Sequence, residues 1–202
     1  MQRVQGWGAL SADDIAEACR LARQALEAER DDAETIGQAA RTLFVLAGEA
    51  AMAAALDHAL ALNPNAAHAW LLRGGIHALR NQPEAAIEAL ERARRLSPFD
   101  PRTFLYASNI AAAHLVARRF EQAIEWADRA LHDQPRMVPA MRIKVVALAH
   151  LGHLDEARAE LSRVLAIYPE QTIAGLREYF HYLAPEFLEL VVTGLRLAGL
   201  PE

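Results

Sequence analysis

The side chains in this sequence that could do chemistry are its histidines, its single cysteine and one group of arginines. Eight histidines raise the question of a metal. His77 and His114 fall at equivalent positions of two similar segments, so folding would bring them near each other. His150 and His153 stand three apart but straddle Gly152. A zinc site of the protease type needs two histidines one helical turn apart with a glutamate beside them, and structural zinc sites need paired cysteines. The sequence has neither pattern, and no acidic residue stands at ligand spacing from these histidines. They read as packed or surface side chains. Cys19 is the only cysteine. It permits no disulfide within the chain, which fits a reducing cytoplasm, and on a helix interface it reads as a buried thiol rather than a nucleophile. No nucleophile elbow follows a strand to assemble a serine triad. Gly74–Gly75 lies inside a helical pattern, where Gly74 allows close helix contact, and forms no phosphate loop. Arg92, Arg94 and Arg95 sit near a helix C-terminus, where cations suit the helix dipole, and read as solvated charges.

The elements that carry these residues are helices. Apolar residues make up 53% of the 202, and alanine, the best helix former, is abundant. Ten glycines and nine prolines gather at plausible turns and leave long helical windows between them. Runs of β-branched residues are rare, so the fold class is all-α. The net charge of −5 argues against a nucleic-acid partner, which needs a basic face. No run of eighteen uncharged apolar residues exists for a membrane span, and no signal peptide heads the chain. The expectation is a cytoplasmic protein with no membrane partner and no cofactor.

Internal repetition organises the chain. Ala18, Met52, Ala86, Ala123 and Ala157 are separated by 34, 34, 37 and 34 residues. A second column, seven residues on, is Ala25, Ala59, Ala93, Ala130 and Val164. A third, at the helix ends, is Arg30, Pro64, Pro98, Pro135 and Pro169. Small residues let two helices approach closely, and proline just past a helix end cannot continue it. The best-preserved copy runs from Trp70 to Pro98, with a turn at Asn81–Pro83.

A helix–turn–helix unit of this length with these columns resembles the tetratricopeptide repeat, or TPR. The resemblance implies a right-handed α-solenoid of helix hairpins forming one domain over residues 1–202. A half-unit covers 1–32, full units 33–66, 67–100, 101–137 and 138–171, and closing helices 172–202. The longer spacing of the fourth unit predicts an extra turn in its first helix. Because residues 1–30 begin in mid-unit with Trp7 near the terminus, two readings stand. The chain is a piece of a longer protein, or Trp7 folds back as an irregular cap.

Several phrases are closer to one group of proteins. They are G-W-G (6–8), A-L-A-L-N-P-N (59–65), R-L-S-P-F-D-P (95–101), R-R-F-E-Q-A-I-E-W-A (118–127), A-L-A-H-L-G-H-L-D-E-A-R (147–158) and G-L-R-L-A-G-L-P-E (194–202). Together they resemble the C-terminal TPR region of bacterial class III adenylate/guanylate cyclases and of related winged-helix regulators. That resemblance implies a sensing or protein-interaction module behind a catalytic or DNA-binding domain. It transfers no catalytic residue, since nothing in this chain reads as the strands a cyclase needs.

The first helices of such units face a concave groove. The candidate partner-binding residues are Arg41 and Phe44, then His68, Leu71, Gly75 and Leu79, then Leu105 and Leu115, then Arg142, Val146 and His150. This face is mostly apolar. It lacks the lysines and asparagines of a carboxylate clamp and favours an apolar or helical segment. The helix at 185–198 offers a second surface through Phe187, Leu188, Val191, Val192 and Leu195. It either caps exposed apolar surface or pairs with another copy. The expected function is therefore a non-catalytic scaffold. Its partner is a protein or peptide, including a domain of the parent protein, with homodimerisation as the alternative.

Overall fold

The computed structural model describes Glu17, Arg20, Leu21, Gln24, residues 49–180 and residues 183–202. Cys19, Trp7, Arg41, Phe44 and the half-unit at 1–32 lie outside the described residues, apart from those four helical positions in that half-unit. Every regular element among the described residues is a helix: α1 Glu49–Leu62, α2 Ala67–Leu79, α3 Pro83–Leu96, α4 Thr103–Val116, α5 Phe120–Asp133, α6 Val138–His150, α7 Leu154–Leu165, α8 Ile173–Tyr179 and α9 Pro185–Leu197. The chain divides into two compact units, Met1–Leu72 and Arg73–Glu202, with the division inside α2.

In the first unit α1 ends at a turn that its own side chains close. Asn63 accepts the Asn65 N–H through Oδ1 at 2.9 Å. The Trp70 indole N–H donates to the Pro64 carbonyl at 2.8 Å. Met52, Leu56 and Ala59 are buried, as the small-residue columns require.

The second unit is built from hairpins in sequence order. α4 packs on α3 and α5, and α6 packs on α5 and α7. The alanine columns explain why these helices come close. Ala86, Ala123, Ala157, Ala93, Ala130 and Val164 are all fully buried. Gly74 marks the tightest approach in the first of these hairpins. A Cβ there would stand 2.5 Å from Leu90 Cγ and 3.1 Å from the Ala86 carbonyl, so no larger residue fits without moving α3.

The turns inside the hairpins repeat one geometry. Asn81, Arg118 and Gly152 each adopt a left-handed backbone, with φ of 60°, 56° and 83°. The next residue's N–H reaches back six positions, counting both ends: Gln82 to His77, Arg119 to His114, His153 to Leu148, at 2.9 to 3.0 Å. This is the Schellman arrangement that satisfies the last carbonyls of a helix. Gly199 closes α9 in the same way, with Leu200 N–H on the Leu195 carbonyl at 3.0 Å.

The extra residues of the 37-residue spacing lie elsewhere than the sequence pattern predicts. α4 has 14 residues against 13 in α2 and in α6, so it gains one residue and not a full turn. The other two lengthen the loop before it. That loop is 97–102, six residues, where the equivalent loops 63–66 and 134–137 have four. Asp100 holds the longer loop together. Its buried carboxylate accepts the Arg102 backbone N–H at 2.8 Å, the Arg102 guanidinium at 3.0 Å and the Tyr106 hydroxyl at 3.0 Å. The Arg102 side chain is the main reason the Asp100 carboxyl is held down to about 2.

Candidate functional site

The inner face of the second unit is where the predicted groove residues and the predicted closing helix meet. α9 lies against α6. Phe187, Leu190, Val191, Val192 and Leu195 are buried, and Leu188 is half-buried against the same core. Gly194 makes the approach possible. A Cβ on it would fall 2.7 Å from Val146 Cγ1 and 2.9 Å from Val146 Cα, a backbone atom with no room to yield. His150 stacks flat on Phe120, ring centroids 5.1 Å apart at 8°, and its Nε2 is 2.9 Å from the Leu190 carbonyl, to which it donates. At the near end of α9 the Ala184 N–H donates to the Leu79 carbonyl at 3.0 Å. At the far end the Ile173 N–H donates to the Pro201 carbonyl at 2.8 Å, tying the chain's last residues to the start of α8.

Three of the groove candidates, Leu79, Val146 and His150, are therefore joined by one element, and that element is α9. Val146 and Leu115 have no exposed surface, so neither side chain is available to a ligand in this conformation. Leu71 and His68, in the first unit, are also buried. Gly75 and Leu105 remain half-exposed. Between them stands a residue the sequence reading passed over: Asn109, whose Nδ2 donates to the Leu105 carbonyl at 2.8 Å and whose Oδ1 would be 3.2 Å from a Cβ on Gly75. It lies off the expected register, and its nearness to Gly75 is what places it here.

Arg142 is a further polar group among these candidates. Its guanidinium lies 5.9 Å from the Tyr168 ring centre and 5.7 Å from that of Phe180, both within cation–π range. With the Gln171 amide oxygen turned toward it, Nε and Nη2 donate at 3.3 and 2.5 Å. The cation thus lies within reach of two rings and an amide.

The two histidines at equivalent repeat positions make different contacts. His77 Nδ1 bonds Gln82 Oε1 at 2.7 Å. His114 Nδ1 is buried with no hydrogen-bond partner. Its pKa is lowered by burial first and by Arg119 second. Among the described residues no three His, Cys, Asp or Glu side chains converge as a metal site would need. None of the described helices is long and apolar enough to cross a membrane.

Comparison with known proteins agrees with this geometry. The tetratricopeptide repeat family profile matches residues 47–101 and 108–172, more than half of the chain, and the chain belongs to that family. A human FK506-binding protein-like protein is 34% identical over 121 residues, which cover 57% of this chain and 33% of that protein. The chain thus spans about a third of the length of this curated relative. Among solved structures, PilW, described as a widely conserved type IV pilus biogenesis factor, superposes with a TM-score of 0.69 at 16% identity, over 91% of this chain and 86% of its own. YrrB, described as a TPR protein with an unusual peptide-binding site, gives 0.54 at 20% identity over 88% and 90%. At these identities the structures share the fold.

Proposed function

We propose that this chain is a non-catalytic protein-interaction module whose inner face accepts an amphipathic helix. One observation carries the reading: the inner face of α6 already holds such a helix, α9, seated by apolar side chains and by a glycine at the point of closest approach. Helix-in-groove recognition uses apolar anchors at helical spacing, and Phe187, Leu190, Val191 and Leu195 supply them. The resemblance to cyclase-associated repeats extends the proposal. On that reading the module is the cytoplasmic, regulatory end of a signalling protein, and the partner helix belongs to another protein or to the parent's own preceding domain. An in-frame cyclase or winged-helix domain upstream of codon 1 supports this context, and a stop codon there removes it.

The test uses a fluorescein-labelled peptide with the sequence of residues 185–198. The native chain should not bind it, because its own helix is present at high effective concentration. Gly194→Val and, independently, Val192→Asp should displace α9 while circular dichroism stays helical, and both should then bind the peptide. Equal binding to native and variant chains, or none to either variant, overturns the reading.

Homodimerisation through α9 is the second reading, and the observation favouring it is Leu197, which is 46% exposed. The surface left for it is small, since Phe187, Val192 and Leu195 are already buried within the chain. Sedimentation at tens of micromolar decides it: a monomer removes the dimer, and a dimer that Leu197→Asp dissociates supports it.

A further inference from the structure

A second surface shares no residue with the inner face. It is a cleft of about 550 Å³ between α3 and α5, floored by the first turns of α4. That volume lies within the range of sites that take small ligands or single large side chains. Buried Tyr106 and Ala107 form its floor, and Trp126, half-buried, forms a wall. Three arginines line it, Arg94, Arg95 and Arg129, against one carboxylate, Asp133.

The state of these charges decides what the cleft can hold. Asp133 already accepts the Thr103 hydroxyl at 2.8 Å. Arg129 bonds Glu125 through Nη2 at 2.5 Å and lies over the Trp126 ring at 4.2 Å, so the ring orients it. Arg94 gives Nε and Nη2 to Glu91, which leaves its Nη1 group unused by that pair. Arg95 is exposed and makes no hydrogen bond or ion pair among the described residues. Glu91 and Glu125 thus each engage one of the three arginines, and Arg95 is the lining cation left without an ion pair among the described residues, on a chain whose net charge is −5.

Beside this rim stands Phe99, 95% exposed, the most exposed large apolar side chain among the described residues. It sits in the loop lengthened by two residues, and the Asp100 network fixes that loop from within. A solvent-facing phenylalanine next to a cleft is apolar area that a contact would bury. Tryptophan and arginine are also the residue types that dominate binding energy at protein interfaces.

We propose that this cleft and the 97–102 loop form a docking site for an acidic polypeptide segment bearing an aromatic residue. The segment's carboxylates pair with Arg95 and with the free N–H groups of Arg94 and Arg129, and its aromatic residue lies between Phe99 and Trp126. This site does not depend on the inner-face reading.

The probe is a fluorescein-labelled peptide, Asp-Glu-Glu-Phe-Glu-Asp, with Lys-Lys-Lys-Phe-Lys-Lys as control, titrated by anisotropy against the full chain. The acidic peptide should saturate, shift the Trp126 indole N–H resonance and weaken as salt rises. Arg95→Glu and Phe99→Ser should each weaken it at least tenfold, and neither residue holds the fold. No saturable binding, equal binding of the lysine peptide, or affinity unchanged in both variants overturns the proposal. So does an oligothymidylate that binds more tightly than the acidic peptide.

Discussion

The inner face under α9 and the cleft between α3 and α5 treat their side chains in opposite ways. On the inner face the apolar groups are covered, the His150 nitrogen that faces α9 has a partner, and a glycine sets the spacing. Beside the cleft an aromatic is left in water, and in it Arg95 has no hydrogen-bond or ion-pair partner among the described residues. The inner face is part of the buried core, whereas Arg95 and Phe99 at the cleft's edge lie outside it. A surface that stabilises the fold and a surface kept open for a partner can be told apart by what substitution does to unfolding.

The largest effect should come from Gly194→Val. The new side chain meets Val146 below contact distance at a backbone atom. Overpacking of this kind costs about 3 kcal/mol. A fall of that size in urea unfolding supports α9 as part of the stabilising face, and an unchanged midpoint breaks the comparison.

The next effect is that of Asp100, the internal anchor of the cleft's loop. Its folded carboxyl is held down to about 2 from an ordinary 3.8. The folded value is the lower one, so its contribution is fully present above pH 4 and is lost as pH falls from there toward 2. The size is on the order of 1–2 kcal/mol. Native protein should lose this much stability over that acid window, and Asp100→Asn should lose it at neutral pH and show a flatter acid profile.

A smaller effect with the opposite sign is expected at Arg118. This residue holds φ at 56° in a turn where Asn81 and Gly152 occupy the equivalent positions. A left-handed conformation is costly for a residue with a Cβ, so Arg118→Gly should raise stability by about 0.5–1 kcal/mol in thermal unfolding. Last comes Arg95→Glu, which should change unfolding by less than about 0.5 kcal/mol. If it destabilises more than that, Arg95 supports the fold and the contrast between the surfaces fails.

Much of the fold was legible in the residue pattern. The turn at Asn81–Pro83 and the alanine columns place α2 and α3, because a period of 34 and a need for small residues are both local signals. The extra length of the fourth unit was legible, but its location was not. Spacing counts residues between columns and cannot say whether the surplus joins a helix or a loop. Here Asp100 decides, since its bonds to Arg102 and Tyr106 stabilise a longer loop. The groove candidates came from register, which fixes the face a residue occupies but not what covers it. Gly194 belonged to no pattern in the sequence, and its role comes from Val146 beneath it. The cleft was missed because Arg94 and Arg95 come from one helix end and Trp126 and Arg129 from another hairpin. Adjacent repeats bring them together, and no short motif records that.

The three hairpin turns at Asn81, Arg118 and Gly152 close with the same bonds through three different side chains. The conformation is therefore enforced by the packed helices on either side and only eased by the residue that adopts it. Each turn is a standard joint. A gene duplication or recombination that cuts at one and resumes at another, 34 or 37 residues away, rejoins matching ends. Such a chain can lengthen or shorten by whole hairpins while every new junction inherits a backbone path that already works.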